Sequence, residues 1–225
     1  MRKFLLVLLV LLPAGILTAH EFWIQPDRFI YEAGETINLR FWVGENFEGG
    51  NWKGNRQSAE RIEIQQNKLD DLLTSNLGEN EGDSLEVSLH DEGTAMILMQ
   101  TNNKSCVKTI IQVGDELSGC CLKATQLPLD IIPLRNPYDP ELGDSLKFLV
   151  KCNGLPLKGQ LMNLWHRENN HTKKMECSTD SSGTITVPVE KSGKWMLSTV
   201  NMIRTTEIPD REQSFWGSCT WGYYR

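Results

Sequence analysis

The sequence predicts an all-β protein made of two β-sandwich units in tandem. Three observations lead there. Apolar residues alternate with polar ones in several short runs, and glycine, proline and asparagine separate those runs at regular spacing. One turn-then-strand device occurs in each half, and helical periodicity is almost absent. The expected division is residues 1–19 as a signal peptide, 20–115 as the first unit and 116–225 as the second.

Arg2 and Lys3, the apolar run Phe4 to Leu12, and the break Pro13-Ala14-Gly15 before small Ala19 have the layout of a secretory leader. The apolar run is shorter than the roughly 20 residues that span a bilayer, and no later segment approaches that length. The expectation is a mature chain that is exported, soluble and without a transmembrane segment.

In the first unit, Gly34-Glu35-Thr36 leads into Ile37, Leu39, Phe41 and Val43, which alternate with Asn38, Arg40 and Trp42 as in a half-buried strand. Gly44 to Gly54 is glycine-rich but lacks the G-x-x-x-x-G-K-[ST] order of a phosphate loop, so it reads as a surface loop. Gln65 to Leu73, with Leu69, Leu72 and Leu73 able to share a face, is the best helix candidate. Glu79 to Asp83 is an acidic loop whose oxygen spacing is incomplete for calcium. Leu89 to Gly93 is a turn before the apolar strand Met96 to Met99, and Val107 to Gly114 is a further strand.

In the second unit, Leu127 to Pro133 is a short strand. Gly143-Asp144-Ser145 repeats the earlier turn before Leu146, Phe148 and Val150. Leu161 to His166 follows the turn Asn153-Gly154, and Thr184 to Val189 follows the polar turn Thr179 to Gly183. Val189 to Gly193 matches the Leu89 to Gly93 turn and precedes the strand Trp195 to Leu197. An aromatic strand with Phe215, Trp216, Trp221, Tyr223 and Tyr224 closes the chain.

The formal net charge of -6 argues against a nucleic-acid partner, which calls for a basic patch. Six cysteines, Cys106, Cys120, Cys121, Cys152, Cys177 and Cys219, can pair in an exported chain, in connectivities that sequence cannot rank. They show no C-x-x-C spacing, so a zinc ribbon or thioredoxin-type site is poorly supported. Neither G-x-S-x-G nor H-E-x-x-H occurs, and the chain is expected to bind rather than to catalyse.

Cleavage after Ala19 makes His20 the first mature residue, with two nitrogen ligands in its α-amine and its imidazole. Such donors suit Ni²⁺, Co²⁺ and Cu²⁺. The amine must be neutral to bind, and its reference pKa near 8 makes that accessible at neutral pH. One residue is at most bidentate, so a second donor must come from the fold. Of His90, His166 and His171, His166 is the expected partner, because the strand Leu161 to Trp165 would hold it rigidly. The bland alternatives are a packed terminus for His20 and a hydrogen-bonded strand residue for His166.

The segments Ala19-His20-Glu21-Phe22-Trp23-Ile24-Gln25-Pro26, Val43-Gly44-Glu45-Asn46-Phe47 and Ser214-Phe215-Trp216-Gly217-Ser218 resemble the DUF4198 family. The likeness continues through Leu127-Pro128-Leu129-Asp130-Ile131-Ile132-Pro133, Asn136-Pro137-Tyr138, Trp165-His166-Arg167 and Gly193-Lys194-Trp195-Met196. It is strongest to the long form of Bacteroidetes-type bacteria, without the central insertion that relatives carry before Val107. The resemblance implies Ig-like units, a periplasmic address and a role with nickel or cobalt, with His20 at the place of an amino-terminal His motif.

The expected function is therefore a periplasmic binding protein that captures or delivers a divalent transition metal for uptake, with a membrane transporter component as partner. The metal ligands would be His20 and His166. A second reading is a carbohydrate or cell-surface interaction module that uses exposed aromatics such as Trp221. A third is a copper oxidase in which His20 and a second histidine form a brace.

Overall fold

A computed structural model describes residues 20–54, 58–66, 69–72, 84–204 and 212–225. The leader expected at residues 1–19 and the acidic loop at Glu79 to Asp83 lie outside them. The described residues form strands and turns, with one short 3-10 turn at Cys120–Leu122 and no α-helix. The all-β expectation holds.

Three sheets make up the structure. The first outer sheet contains β1 (Glu21–Pro26), β3 (Thr36–Glu45), β4 (Glu48–Asn51) and β7 (Ser84–Ser88), with β3 at its centre. The second contains β10 (Leu129–Pro133), β11 (Ser145–Cys152), β12 (Leu155–Pro156) and β15 (Thr184–Pro188), centred on β11. Between them runs a nine-stranded sheet. Its first half is β14 (His171–Ser178), β13 (Leu161–Glu168), β16 (Lys194–Arg204) and β17 (Glu212–Gly222). Its second half is β9 (Ser105–Val113), β8 (Gly93–Thr101), β5 (Ala59–Gln66) and β6 (Leu69–Leu72), with β2 (Ile30–Tyr31) also paired to β9.

The pairings in the two halves of the chain correspond strand for strand. In the first, β1-β3-β7 faces β6-β5-β8-β9; in the second, β10-β11-β15 faces β14-β13-β16-β17. Three strands packed on four is a common sandwich arrangement of Ig-like and related domains. The two sets meet where β17 runs parallel to β9, from Trp216 opposite Ser105 to Thr220 opposite Thr109. Equivalent last strands thus lie side by side. Their outer sheets cover opposite faces, the relation of a twofold axis along the strands.

Side-chain alternation on β8 and β9 shows those faces. Ala95, Ile97, Met99, Val107 and Ile111 pack with Phe22, Ile24, Leu39 and Phe41 of the first outer sheet. Met96, Leu98, Cys106 and Ile110 pack instead with Leu129, Phe148, Trp195 and Trp221 of the second half. Strands buried on both faces read as continuous apolar runs, which is why Met96 to Met99 shows no alternation. One core therefore contains residues from both halves.

Two expectations are corrected. Gln65 to Leu73 is not a helix: Gln65 and Gln66 belong to β5, paired with Met96 and Ala95, and β6 turns back to pair with Glu63 to Gln66. Cross-strand pairing to β8 outweighs the leucine spacing. Gly44 to Gly54 is not simply a loop either, since β4 folds back on β3 across the two-residue turn Asn46-Phe47.

The six cysteines form no disulfide, and all but Cys177 are buried. Burial pushes the thiols of Cys106, Cys121 and Cys219 up to about 12, so they remain protonated. In the same core Lys108 Nζ lies 2.6 Å from Asp130 Oδ1, with side chains only 1% and 4% exposed, and this pair ties β9 to β10. The other Asp130 oxygen accepts the Thr125 N–H at 2.7 Å, so both carboxylate oxygens are engaged.

Candidate functional site

His20 lies just before β1, and β1 pairs with β3 so that Glu21 stands opposite Gly44. Extending that antiparallel register by one residue sets His20 across from Glu45. Its Nε2 is 3.9 Å from Glu45 Oε1, and the two side chains are 62% and 42% exposed. Glu21 adds a second carboxyl. Burial pushes its pKa above the usual carboxylate value, and the nearby Glu45 charge acts in the same direction. The imidazole and the Glu45 carboxylate thus meet at one edge of the first outer sheet, whereas the Glu21 side chain, on the alternate face of β1, lies towards Trp165 and Lys174.

The turn beside them is specific. Asn46 and Phe47 have φ of 57° and 56°, as in a type I′ hairpin turn. Left-handed backbone is unfavourable for phenylalanine, yet Phe47 is 1% exposed. Its ring packs edge-on against Trp23, at 5.5 Å between centroids, in a cluster with Trp165 and Met196 of the central sheet. Burial of the ring holds the turn, and the turn holds Glu45 opposite His20.

His20 also lines a groove of about 520 Å³ with Phe22, Val43, Trp52, Met202 and Trp216, and with Asn103 and Ser105 among its polar residues. Phe22 and Trp52 touch at 5.4 Å between centroids. Met202 is 67% exposed.

His166 lies elsewhere. It is 4% exposed, stacks on Trp195 at 3.9 Å between centroids, and brings Nε2 to 3.2 Å from the Ser192 carbonyl oxygen. Its neighbour Trp165 points to the other face, into the Trp23 cluster. His166 therefore faces the second outer sheet, while His20 belongs to the first. The structure does not bring the two imidazoles together, either as a shared metal site or as a brace. His90 and His171 are exposed in or next to turns. Among the described residues, no group of three or more His, Cys, Asp or Glu side chains is arranged to hold a metal ion.

The C-terminal aromatics divide between core and groove. Trp221 is fully buried against Phe148, and Phe215 belongs to the same core. Trp216, on the opposite face of β17, reaches the groove beside His20. Glu45 was not singled out as a candidate partner of His20 from sequence. The alternation of β3 could place Glu45 on a face, but only the β1 register puts it beside His20.

No helix among the described residues is long and apolar enough to cross a membrane. No curated protein matches the chain. Among solved structures, α2-macroglobulin of Salmonella reacted with methylamine is 14% identical, with 90% of this chain and 15% of that chain covered at a TM-score of 0.32. The native conformation of E. coli α2-macroglobulin is also 14% identical, over 89% of this chain and 14% of that one, at a TM-score of 0.32. A bacterial ice-binding adhesin is 11% identical over 92% of this chain and 64% of that one, with a TM-score of 0.27. None of these likenesses bears on function. A family match does reach the residues that build the site: residues 17–203 match DUF4198, a domain of unknown function, from before His20 into β16, and the protein belongs to that family.

Proposed function

We infer that the protein is an exported, periplasmic binding protein, not an enzyme, and that it takes a divalent transition metal at His20 once the leader is removed. Nickel or cobalt is the expected ion, with copper the alternative. The supporting observation is the exposed His20 imidazole 3.9 Å from the Glu45 carboxylate. The freed amine and Nδ1 chelate the ion as a two-donor set, while Glu45, at the opposite ring nitrogen Nε2, orients the imidazole. Such a set leaves coordination positions open, which suits transfer of the ion to a membrane transporter component.

The groove beside His20 favours a second reading. Trp52, Trp216 and Phe22 offer aromatic faces to a sugar ring, and Asn103 and Ser105 offer polar contacts. On this reading the sugar lies against Trp52 and Trp216 and not against buried Trp221.

One calorimetric experiment separates the two. The processed protein is titrated with Ni²⁺, Co²⁺ and Cu²⁺ beside a version with one extra residue before His20 and a Glu45→Gln variant. The metal reading expects about tenfold or greater weakening in both; equal affinity in all three rejects it. Trp52→Ala leaves metal affinity unchanged on this reading. If the variant instead abolishes binding of a soluble oligosaccharide, the second reading stands.

A further inference from the structure

At the other end of β1 from His20, a cavity of about 580 Å³ opens between β1, β3, β7 and the start of β16. That volume is typical of small-molecule sites. Lys194 lines it with Gln25, Trp42 and Tyr224, and also lines a second cavity of about 440 Å³ beside Arg167. Among the described residues its ammonium has no carboxylate partner. Nζ donates to Gln25 Oε1 at 2.7 Å and sits 4.6 Å from the centroid of the Phe47 ring, and both of these partners are neutral.

The other charges nearby form no ion pair with it, Glu168 in the lining of the second cavity included. Arg167, directly opposite on β13, is a second cation, and its own partners are Glu48 and Thr172 Oγ1. Asp27 accepts the Tyr31 hydroxyl at 2.5 Å and the Asn38 backbone N–H at 3.4 Å. Arg40 and Glu86 are exposed on β3 and β7, and burial pushes the Tyr224 phenol up, so it stays neutral. Gln25 is 8% exposed and supplies a neutral amide where a glutamate would cancel the lysine. Trp42, in the same wall, has an indole N–H with no acceptor among the described residues.

A half-buried ammonium without an anion is costly, and a cavity beside it gives an anion room to enter. We propose that this cavity binds a small organic monocarboxylate, whose carboxylate pairs with Lys194 and whose body lies along Trp42, Asn38 and Gln25. One uncompensated positive charge, with Asp27 and Glu86 in the walls, selects a monoanion over a phosphate dianion. The site is independent of His20 and of the metal reading.

The titration of Lys194 gives the proposal a signature. Burial, reinforced by Arg167 and opposed by Glu48, pulls the amine from 10.5 to about 8. The unfolded chain then holds more protons between those values, so stability falls as pH drops from 10.5 towards 8, and the full penalty stands at neutral pH. A carboxylate that pairs with the ammonium relieves that penalty only where the amine is charged.

The test is thermal unfolding and calorimetry with gluconate and with phenylacetate, against sodium chloride at matched ionic strength, at about pH 7 and about pH 9.5. At least one carboxylate is expected to stabilise the protein beyond chloride at the lower pH and to bind about tenfold more weakly at the higher. Lys194→Met removes the cation and Gln25→Glu supplies a tethered carboxylate. Both variants should fold and lose the effect, and Gln25→Glu should gain stability at neutral pH. Overturning results are no effect beyond chloride, full binding retained in Lys194→Met, or tighter binding of inorganic phosphate than of either carboxylate.

Discussion

Lys108 and Asp130 show what one buried pair contributes between two layers. Both side chains are buried; each is matched by the other, and Asp130 also accepts one backbone N–H. Replacing such a pair with apolar groups is often neutral, whereas removing one partner strands a charge at a cost of about 3–5 kcal/mol. Lys108→Met is therefore expected to lower unfolding free energy by about that amount in urea titrations. Adding Asp130→Asn, which keeps an acceptor for Thr125, should recover most of it. A single variant as stable as the wild type would mean that the pair adds nothing. His20 stands out at this scale through the leader-like layout of residues 1–19. Glu45 and Lys194 do not, since Glu45 acquires its role through the β1–β3 register and Lys194 through burial between sheets.

Among the elements, the hairpin β3–β4 shows two effects of opposite sign. Phe47 in a left-handed conformation costs about 1–2 kcal/mol relative to glycine, while its buried ring is worth about 3–5 kcal/mol against truncation. Phe47→Gly should thus destabilise by roughly 2–4 kcal/mol in equilibrium unfolding, packing having outweighed strain. It should also free Glu45 and weaken any metal affinity at His20. A stabilised variant would show that the ring does not hold the turn. The same hairpin shows why some strands escaped sequence reading. β4 is Glu48-Gly49-Gly50-Asn51, wholly exposed, and β14 is an edge strand with no buried residue. Neither has an apolar face to give it a period. The alternating strand β3 and the apolar runs of β8 and β9 were legible because burial dictated their side chains.

At the scale of the whole molecule, the parallel contact of β17 with β9 and the mixed core make the halves depend on one another. Met96, Leu98, Cys106 and Ile110 lose much of their packing if the second half unfolds. Unfolding in urea is expected to be one transition, with far-ultraviolet circular dichroism and tryptophan fluorescence coincident. Two separated transitions would show that each half stands alone. The turn repeat was legible in sequence because each copy begins a strand at the centre of an outer sheet. The parallel seam was not, because no local pattern distinguishes a strand that meets a neighbour across half the chain from one that meets a hairpin partner.

The first and last strands are also fastened to each other: Ser218 Oγ donates to the Phe22 carbonyl and Thr220 Oγ1 to the Ile24 carbonyl. One side of β1 pairs with nearby β3, but these two carbonyls find their side-chain partners almost 200 positions further along. Contacts of that span slow folding, since the loop must close before it is rewarded. Both bonds therefore form only after that long loop has closed, so they hold the folded protein together without speeding its folding.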